Sequence, residues 1–439
     1  SSHSEWAFLS YFGRLDYGFG EKYFVDLSLR QDGSSRFGKN KQKAVFYAVG
    51  GMWNIKKESF MENIPFISTL NFNASIGTSG NSEIGDYQHL ALVGTNTYDA
   101  ATGWSISTPG NPDLSWESQT KATVGLRFSL LNSKYRFKFE FYDRTTNNML
   151  ISVPYPYTSG FNSITSNVGT LKNTGLDIEI DFDIVKTKNL YVTPYVNFNY
   201  NKNEVTELFQ GKDYWIIPNT GVCWAVGQPV SYFYPLFAGI DPDDGSPMWY
   251  VPGENIVETT KETTSKTFST AALEQNIGLP RHPPMTGGFG LNAGYKGFAI
   301  QADFAFALKK YMINNDRYFY ENPSVFSGFN QSTRVLDYWK QAGDESLFPR
   351  YGVQFTQFDS RLVEDASFLR MKNLSASYTV PSNLIDKTGF FTGARVYFAG
   401  RNLLTFTKYM GPDPEVDSNI GLGTNPNTKQ FTFGIEFTF

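Results

Sequence analysis

Apolar and polar side chains alternate along much of this chain, most clearly over its last nine residues. Every second position from Phe431 to Phe439 is large and apolar, and the positions between them are Thr, Gly, Glu and Thr. Successive side chains of a strand point to opposite faces. The segment therefore predicts a strand with one apolar face, which either a second sheet or a membrane would have to cover.

The same period of two predicts thirteen strands. A tilted strand needs about 9–11 residues to cross a membrane, and the predicted segments have that length. In residues 176–184 acids alternate with aliphatic and aromatic residues, and in residues 135–142 charged residues alternate with aromatic ones. The predicted strands are residues 8–18, 22–31, 44–54, 66–77, 119–130, 134–144, 174–184, 190–201, 286–296, 297–308, 367–379, 394–403 and 430–439.

Connection lengths favour a membrane barrel over a soluble sandwich. Outer-membrane barrels have short turns on the periplasmic side and long loops outside, and here every second connection is long. We therefore predict an all-β fold, a transmembrane antiparallel β-barrel with long extracellular loops. Thirteen is an odd number, so residues 1–439 are expected to form the C-terminal part of a larger barrel. The long connections are residues 78–118, 145–173, 202–285, 309–366 and 404–429.

Composition agrees with this prediction. Aromatic residues make up 17% of the chain, charged residues only 18%, and 39 Gly accompany 39 Phe and 26 Tyr. Aromatic girdles at both membrane interfaces would produce such a balance. The sequence has no apolar run near the length of about 18 residues that a membrane helix needs.

Charge and rare residues exclude several other classes. The net charge is −4 and no Lys/Arg-rich segment occurs, so nucleic acid is not expected as a partner. Cys223 has no second cysteine to pair with, and the three scattered histidines predict neither a metal cluster nor a cofactor. The first residues lack the pattern of a signal peptide, so we expect either that a signal peptide has been removed or that Ser1 is not the true amino terminus.

Two acidic segments could suggest cation sites. Asp177, Glu179, Asp181 and Asp183 lie on one face of a predicted strand, but their spacing of roughly 6–7 Å is too wide for one ion. We predict that they face a wet barrel interior. Residues 241–245 resemble the start of a calcium loop without its closing carboxylate, so we predict a turn.

The adjacent acids Glu364 and Asp365 could suggest catalysis, because glycoside hydrolysis needs two carboxylates. Adjacent residues of an extended chain point in opposite directions, so these two cannot flank one bond. A turn at the entry to a strand is the preferred interpretation, with Arg370 pairing an acid across the barrel interior. With no nucleophile elbow, zinc motif or phosphate-binding loop either, we expect no enzyme.

Aromatic residues in the long connections are the candidate substrate contacts, because aromatic rings offer stacking surfaces for sugars or peptide side chains. The alternatives are packing between loops and contact with a partner protein. Trp224, Tyr318 and Phe319, which lie in the same connections, are further candidates. The principal candidates are Trp104, Tyr214, Trp215, Trp249, Tyr250, Tyr320 and Trp339.

Several phrases of the sequence are distinctive, among them Arg30-Gln-Asp-Gly-Ser-Ser-Arg-Phe37, Asn111-Pro-Asp-Leu-Ser-Trp-Glu117 and Gly400-Arg-Asn-Leu-Leu-Thr-Phe-Thr-Lys-Tyr409. These phrases resemble those of SusC-type (SusC/RagA family) TonB-dependent outer-membrane transporters. Similar phrases follow in the family's order from about residue 11 to the end. They lie at residues 11–17, 167–175, 227–234, 239–242, 363–373 and 413–416.

The resemblance implies an outer-membrane location in a Gram-negative bacterium and a barrel of about 22 strands, of which this chain would supply the last thirteen. The plug domain, the TonB-contacting segment and the first strands would lie outside it. The implied partners are the N-terminal remainder of the barrel, TonB acting through the plug, a SusD-like surface lipoprotein and the lipid bilayer. Phe439 would then be part of the signal that the outer-membrane assembly machinery reads.

The expected function is part of an active importer of oligosaccharides or oligopeptides. A surface-exposed glycan-binding module is one alternative, and it would require a second sheet over the apolar strand faces. A passive outer-membrane channel is another.

Overall fold

The computed structural model describes residues 4–99, 101–161, 163–217, 220–353, 355, 357–416, 418, 420, 421, 423 and 425–439. They form two compact units. One comprises Ser1–Ile178 and Asn201–Asp213, and the other comprises Glu179–Tyr200 and Tyr214–Phe439.

Long strands dominate the first unit. In chain order its strands are β1 (Phe8–Phe19), β2 (Tyr23–Ser34), β3 (Lys43–Asn54), β4 (Ile67–Asn81), β5 (Ala91–Tyr98), β6 (Ala101–Pro109), β7 (Glu117–Leu130), β8 (Tyr135–Asn147), β9 (Leu150–Pro154), β10 (Ser163–Asn167) and β11 (Thr170–Phe182), which ends in the second unit.

Antiparallel pairing joins β1, β2, β3, β4, β7 and β8 in that order. The register places apolar residues opposite one another on one face, as in the row Leu15, Leu27, Val49 and Ile76. The other face is polar, with Asp16 opposite Asp26. In the long connections β5 pairs with β6 and β9 pairs with β10.

The second unit has the same plan. Its strands are β12 (Val185–Lys186), β13 (Leu190–Glu207, which ends in the first unit), β14 (Tyr214–Ile217), β15 (Val222–Ala225), β16 (Ser231–Pro235), β17 (Phe237–Ile240), β18 (Pro247–Tyr250), β19 (Thr264–Ser265), β20 (Glu274–Pro280), β21 (Met285–Tyr295), β22 (Phe298–Leu308), β23 (Tyr311–Asn314), β24 (Val363–Asp365), β25 (Phe368–Thr379), β26 (Gly393–Thr407), β27 (Ile420–Gly421) and β28 (Gln430–Thr438).

Antiparallel pairing joins β13, β21, β22, β25, β26 and β28 in that order. The shorter strands form three small sheets in the long connections, ordered β14–β15–β16–β20, β17–β18–β19 and β24–β23–β27. Helices are short and lie between strands. They are α1 (Thr270–Leu273), α2 (Asp316–Tyr320), α3 (Ser382–Ile385) and the 3₁₀ turns Ile55–Lys57, Ser59–Met61, Tyr157–Ser159, Phe209–Gly211, Thr333–Leu336, Ser360–Leu362 and Asp386–Thr388.

No helix in the described part of the chain has the length and apolar character needed to cross a membrane.

All thirteen predicted strands are confirmed by long strands of this structure. Several extend further into the long connections than predicted: β4 reaches Asn81, β13 reaches Glu207 and β26 reaches Thr407. The extension of β4 is polar on both faces, and that of β13 has a single apolar residue, Val205, so alternation gave no signal there. The long connections also contain paired strands where only turns were expected, because these strands are short and some of their partners lie far away in the sequence.

The distribution of apolar residues between surface and interior is the reverse of that in a soluble protein. The strand faces stay exposed, with Phe433 at 78% and Ile435 at 65% of their possible surface. The buried apolar residues lie mainly in and beside the long connections, for example around Trp116 in the first unit and Trp249 in the second. A soluble sandwich would cover such faces, whereas a barrel in lipid leaves them outward.

Candidate functional site

The phrases that carry the family resemblance build a packed cluster in the first unit. Phe37 and Trp116 pack with ring centroids 5.0 Å apart, and both are buried with Leu114. The Trp116 Nε1–H donates to the Gln42 carbonyl at 2.9 Å. A side chain at Gly38 would lie 1.8 Å from the Pro112 carbonyl oxygen, so only glycine fits there. These motif residues therefore join the connection between β2 and β3 to the long connection at residues 78–118.

Trp104 is the most exposed of the candidate aromatic residues. It lies on the β5–β6 hairpin with 77% of its surface exposed. Val93 and Ile106 are register partners on the same hairpin, and both are exposed. The hairpin thus presents an accessible apolar surface that could receive a ligand or a protein partner.

Tyr214 and Trp215 lie on the β14–β15 hairpin of the second unit. Trp215 packs edge-to-face against Trp224, with centroids 6.1 Å apart, and Tyr214 is exposed. The structure brings this pair of tryptophans together, although their positions nine residues apart gave no sign of it.

Trp249 lies in the interior of the long connections. Only 1% of its surface is exposed, its Nε1–H donates to Asp359 at 2.8 Å, and Phe268 packs edge-to-face on it at 5.0 Å. Arg361 also donates to Asp359 at 2.8 Å. Tyr250, the next residue, is half-buried against the cluster around Tyr232. Burial leaves Trp249 no surface for a ligand, so it is a packing residue.

Trp339 packs over the turn at residues 241–245. Its Nε1–H donates to the Pro242 carbonyl at 2.9 Å, and a side chain at Gly245 would lie 2.5 Å from its ring. Lys266 lies 2.5 Å from Asp241 and 3.1 Å from Asp244. The Lys266 ammonium, and then the backbone N–H of Asp243, lower the pKa of the Asp241 carboxyl. The predicted turn is confirmed, and Lys266 pairs with two of its three acids.

Tyr320 ends α2, beside a buried ionic network. Arg317 lies 2.8 Å from both Glu321 and Glu364, and Arg334 lies 2.7 Å from Glu321. Burial raises the pKa of the Tyr320 hydroxyl. The turn predicted at Glu364 and Asp365 is wrong: both belong to β24, which pairs with β23. Sequence reasoning missed this network because its members lie in one long connection but as far as 47 residues apart, and no local pattern links them.

Arg370 is paired, but not across the barrel interior as predicted. Its partners are Asp413, at 2.6 Å, and Glu415, which also pairs with Lys372 at 2.6 Å. Both acids lie in the connection that follows β26. Burial opposes ionisation of Asp413, but hydrogen bonds from Arg370 and from two backbone N–H groups lower the pKa of its carboxyl.

The acidic residues of the row at 177–183 are not all exposed to solvent. Asp183 is 6% exposed, accepts a hydrogen bond from Thr193 at 3.3 Å and pairs with Lys186 at 3.1 Å. The expectation of a solvated face is therefore wrong at that position. Within the described residues there is no group of three or more His, Cys, Asp or Glu that could hold a metal ion.

Phe439 lies in an aromatic group at the end of the chain. Its ring is 5.3 Å from Phe390 and 5.2 Å from Phe391, and Phe391 stacks on Phe437 at 4.7 Å. Phe439 nevertheless keeps 73% of its surface exposed. Such a group is typical of an aromatic girdle at a membrane interface.

An antiparallel sheet with one exposed apolar face, capped by packed long connections, defines the class of outer-membrane β-barrels. The family model described as TonB dependent receptor-like, beta-barrel matches residues 1–403. The chain belongs to this family, and the predicted fold class and outer-membrane location are confirmed.

Two relatives are similar to this chain over almost its whole length. The TonB-dependent receptor P3 of Formosa agariphila is 30% identical over 466 residues, covering 99% of this chain and 46% of the relative. The TonB-dependent receptor SusC of Bacteroides thetaiotaomicron is 29% identical, covering 98% of this chain and 44% of the relative. The predicted resemblance to SusC-type proteins is thereby confirmed.

Solved structures extend the comparison. The structure of the RagAB peptide transporter matches with a TM-score of 0.91 and 45% identity, covering 99% of this chain and 48% of that chain. The RagAB peptide importer in its open-open state matches with a TM-score of 0.91 and 46% identity, covering 99% of this chain and 47% of that one. The chain spans about half the length of the relatives it matches.

Proposed function

We propose that residues 1–439 form the C-terminal part of the barrel of a TonB-dependent importer of oligopeptides, which passes its cargo unchanged. The single observation that carries this proposal is the similarity to the RagAB peptide transporter, 45% identical over 99% of this chain. Fold alone does not define function, but the match covers 99% of this chain and so includes the long connections that would contact cargo.

The proposed assembly has three further protein parts. An N-terminal remainder would supply the first strands and a plug, TonB would act on that plug, and a SusD-like lipoprotein would close over the long connections. The length of the relatives supports the first part, since this chain covers only 48% of the RagAB chain it matches. A wide barrel must be plugged at rest, and a lid adds binding surface.

Cargo contact is proposed for the candidate aromatic residues that have accessible surface: Trp104, Tyr214, Trp215, Tyr250, Tyr320 and Trp339. Trp104 and the Trp215–Trp224 pair offer flat apolar faces, which suit either the cargo or the lid protein. Trp249 is assigned to the loop interior because its ring is enclosed.

Uptake by whole cells tests the proposal. A strain that lacks the receptor containing this chain is complemented with the gene, then given fluorescent oligopeptides or fluorescent oligosaccharides of similar mass. We expect uptake of peptides only, lost when TonB is deleted or the proton gradient is collapsed. Uptake of oligosaccharides alone would assign the other cargo class, and uptake independent of TonB would indicate a passive channel.

A further inference from the structure

A cavity of about 470 Å³ lies in the second unit, where β21, β22 and β25 meet their long connections. Thr286, Ala307 and Phe368 form one register row across these strands and contribute to its lining. They share a sheet face with Asp303 and Arg370, which is the polar face. The cavity therefore belongs to the face that a barrel turns toward its interior.

The cavity lining has more basic than acidic residues. Arg281, His282 and Lys310 contribute to it, whereas its one acid among the described residues is Glu415. The charge of Glu415 is already matched by Arg370 and Lys372. Among the described lining residues, basic side chains thus outnumber acidic ones, in a chain whose net charge is −4.

Arg281 is the group best placed to bind an anion. No ion pair links its guanidinium to any acid of the described chain, and its backbone N–H is fixed by the Val230 carbonyl at 2.9 Å. A guanidinium offers two parallel N–H groups that match the two oxygens of a carboxylate.

Lys310 adds a second positive charge beside an apolar wall. Its Nζ donates to the Val416 carbonyl at 2.9 Å and lies 5.9 Å from the centre of the Phe368 ring. Tyr311 lines the same cavity. The aromatic rings would contact the apolar part of a bound group while the cations hold its charge.

We propose that this cavity binds a carboxylate of the imported cargo, with Arg281 as its principal partner and Lys310 as the second charge. The inference rests on the proposed function in that an oligopeptide would supply the carboxylate at its C-terminus. The same chemistry could come from a uronic acid at the end of an oligosaccharide.

Calorimetry on the purified full receptor containing this chain, in detergent, tests the proposal. The probes are an N-acetylated octapeptide without acidic side chains and its C-terminal amide. Loss of a charge-assisted pair weakens binding by roughly tenfold or more, so the amide should bind at least about tenfold more weakly. In Arg281→Gln the two peptides should bind equally, and Arg281→Lys should lie between. Arg350→Gln, which removes an exposed cation away from the cavity, should leave the difference unchanged.

The possible results separate a failure of the proposed site from a failure of the proposed cargo class. Equal affinity of acid and amide for the wild-type receptor would overturn the site while leaving peptide import standing. The site would also be overturned if Arg281→Gln weakened the binding of both peptides equally, because a loss of shape complementarity affects the charged and the neutral peptide alike. If neither peptide binds but a glucuronate-terminated oligosaccharide binds more tightly than its neutral twin, in an Arg281-dependent way, the site stands and peptide cargo is excluded.

Discussion

At the scale of single residues, adjacent positions of one strand have opposite surroundings. Ile435 lies opposite Val396 on the apolar face, and its neighbour Glu436 lies opposite Arg395 at 4.0 Å. Both are exposed in this chain, so exposure does not distinguish them; the chemistry of their sheet faces does. The apolar face has to meet lipid, and the polar face has to meet water.

The substitution Ile435→Arg should therefore hinder insertion of the barrel into the outer membrane. A charge on the lipid face costs about 2–4 kcal/mol near the bilayer midplane. Glu436→Gln should be nearly silent, because it changes only a weak pair on the wet face. Folded receptor is measured by heat-modifiable migration in gels of outer membranes. Equal loss in both variants would contradict the assignment of faces.

Glu58 provides a prediction about pH. It lies between β3 and β4 and accepts hydrogen bonds from Tyr23 at 2.6 Å, Lys22 at 3.0 Å and Trp53 at 3.0 Å. These three donors, the Tyr23 hydroxyl first, lower the pKa of its carboxyl to about 2. An acid with a lowered pKa stabilises the fold above its unfolded pKa, and the effect is lost as the pH falls through the folded value.

Trp53 fluorescence should therefore stay constant from pH 7 to about 4.5 and change only as the pH approaches about 2. Glu58→Gln cannot ionise and should show no such acid transition. An identical transition in that variant would assign it to another carboxyl.

At the scale of elements, the last strand and the turn between β25 and β26 form one aromatic group. Phe437 and Phe439 meet Phe391 through stacked and tilted contacts at 4.7 Å and 5.2 Å. Strand, turn and chain end are thus held together at one rim.

Deleting Phe439 should lower the amount of folded receptor without changing the cargo affinity of the molecules that do insert. The expected reason is loss of the terminal aromatic residue, which we propose is part of the signal for the assembly machinery, together with its contacts to Phe390 and Phe391. Quantitative blotting of outer membranes and calorimetry on the purified variant measure the two effects. Phe439→Trp keeps an aromatic ring and should retain yield; unchanged yield after the deletion would contradict the role.

At the scale of the whole molecule, two strand edges lack a partner in the described chain. β1 pairs only with β2, and β28 pairs only with β26. In lipid an unpaired backbone N–H or C=O costs several kcal/mol. We therefore propose that both edges pair with other polypeptide in the mature barrel.

Expressed alone with a signal sequence, residues 1–439 should not form a protease-resistant monomeric barrel. Thirteen antiparallel strands also cannot close with every neighbour antiparallel, because closure needs an even number. Co-expression with the N-terminal part of the receptor should restore resistance. A resistant, heat-modifiable monomer from residues 1–439 alone would contradict the proposed division.

The sequence by itself determined the strands and their faces. Alternation over residues 176–184 or 431–439 is local, and lipid on one face with water on the other enforces it residue by residue, so the pattern is legible without a structure. It also indicated the family, through phrases such as residues 111–117, whose Leu114 and Trp116 pack in one buried cluster.

Only the tertiary structure decided which loop residues remain accessible. Trp249 and Trp104 are the same residue type in similar connections, yet one is enclosed around Asp359 and the other is exposed. The partners of Arg370, the network around Arg317 and the cavity beside Arg281 likewise join segments far apart in sequence. Contacts of that kind depend on how long connections fold over one another, and no period in the sequence encodes them.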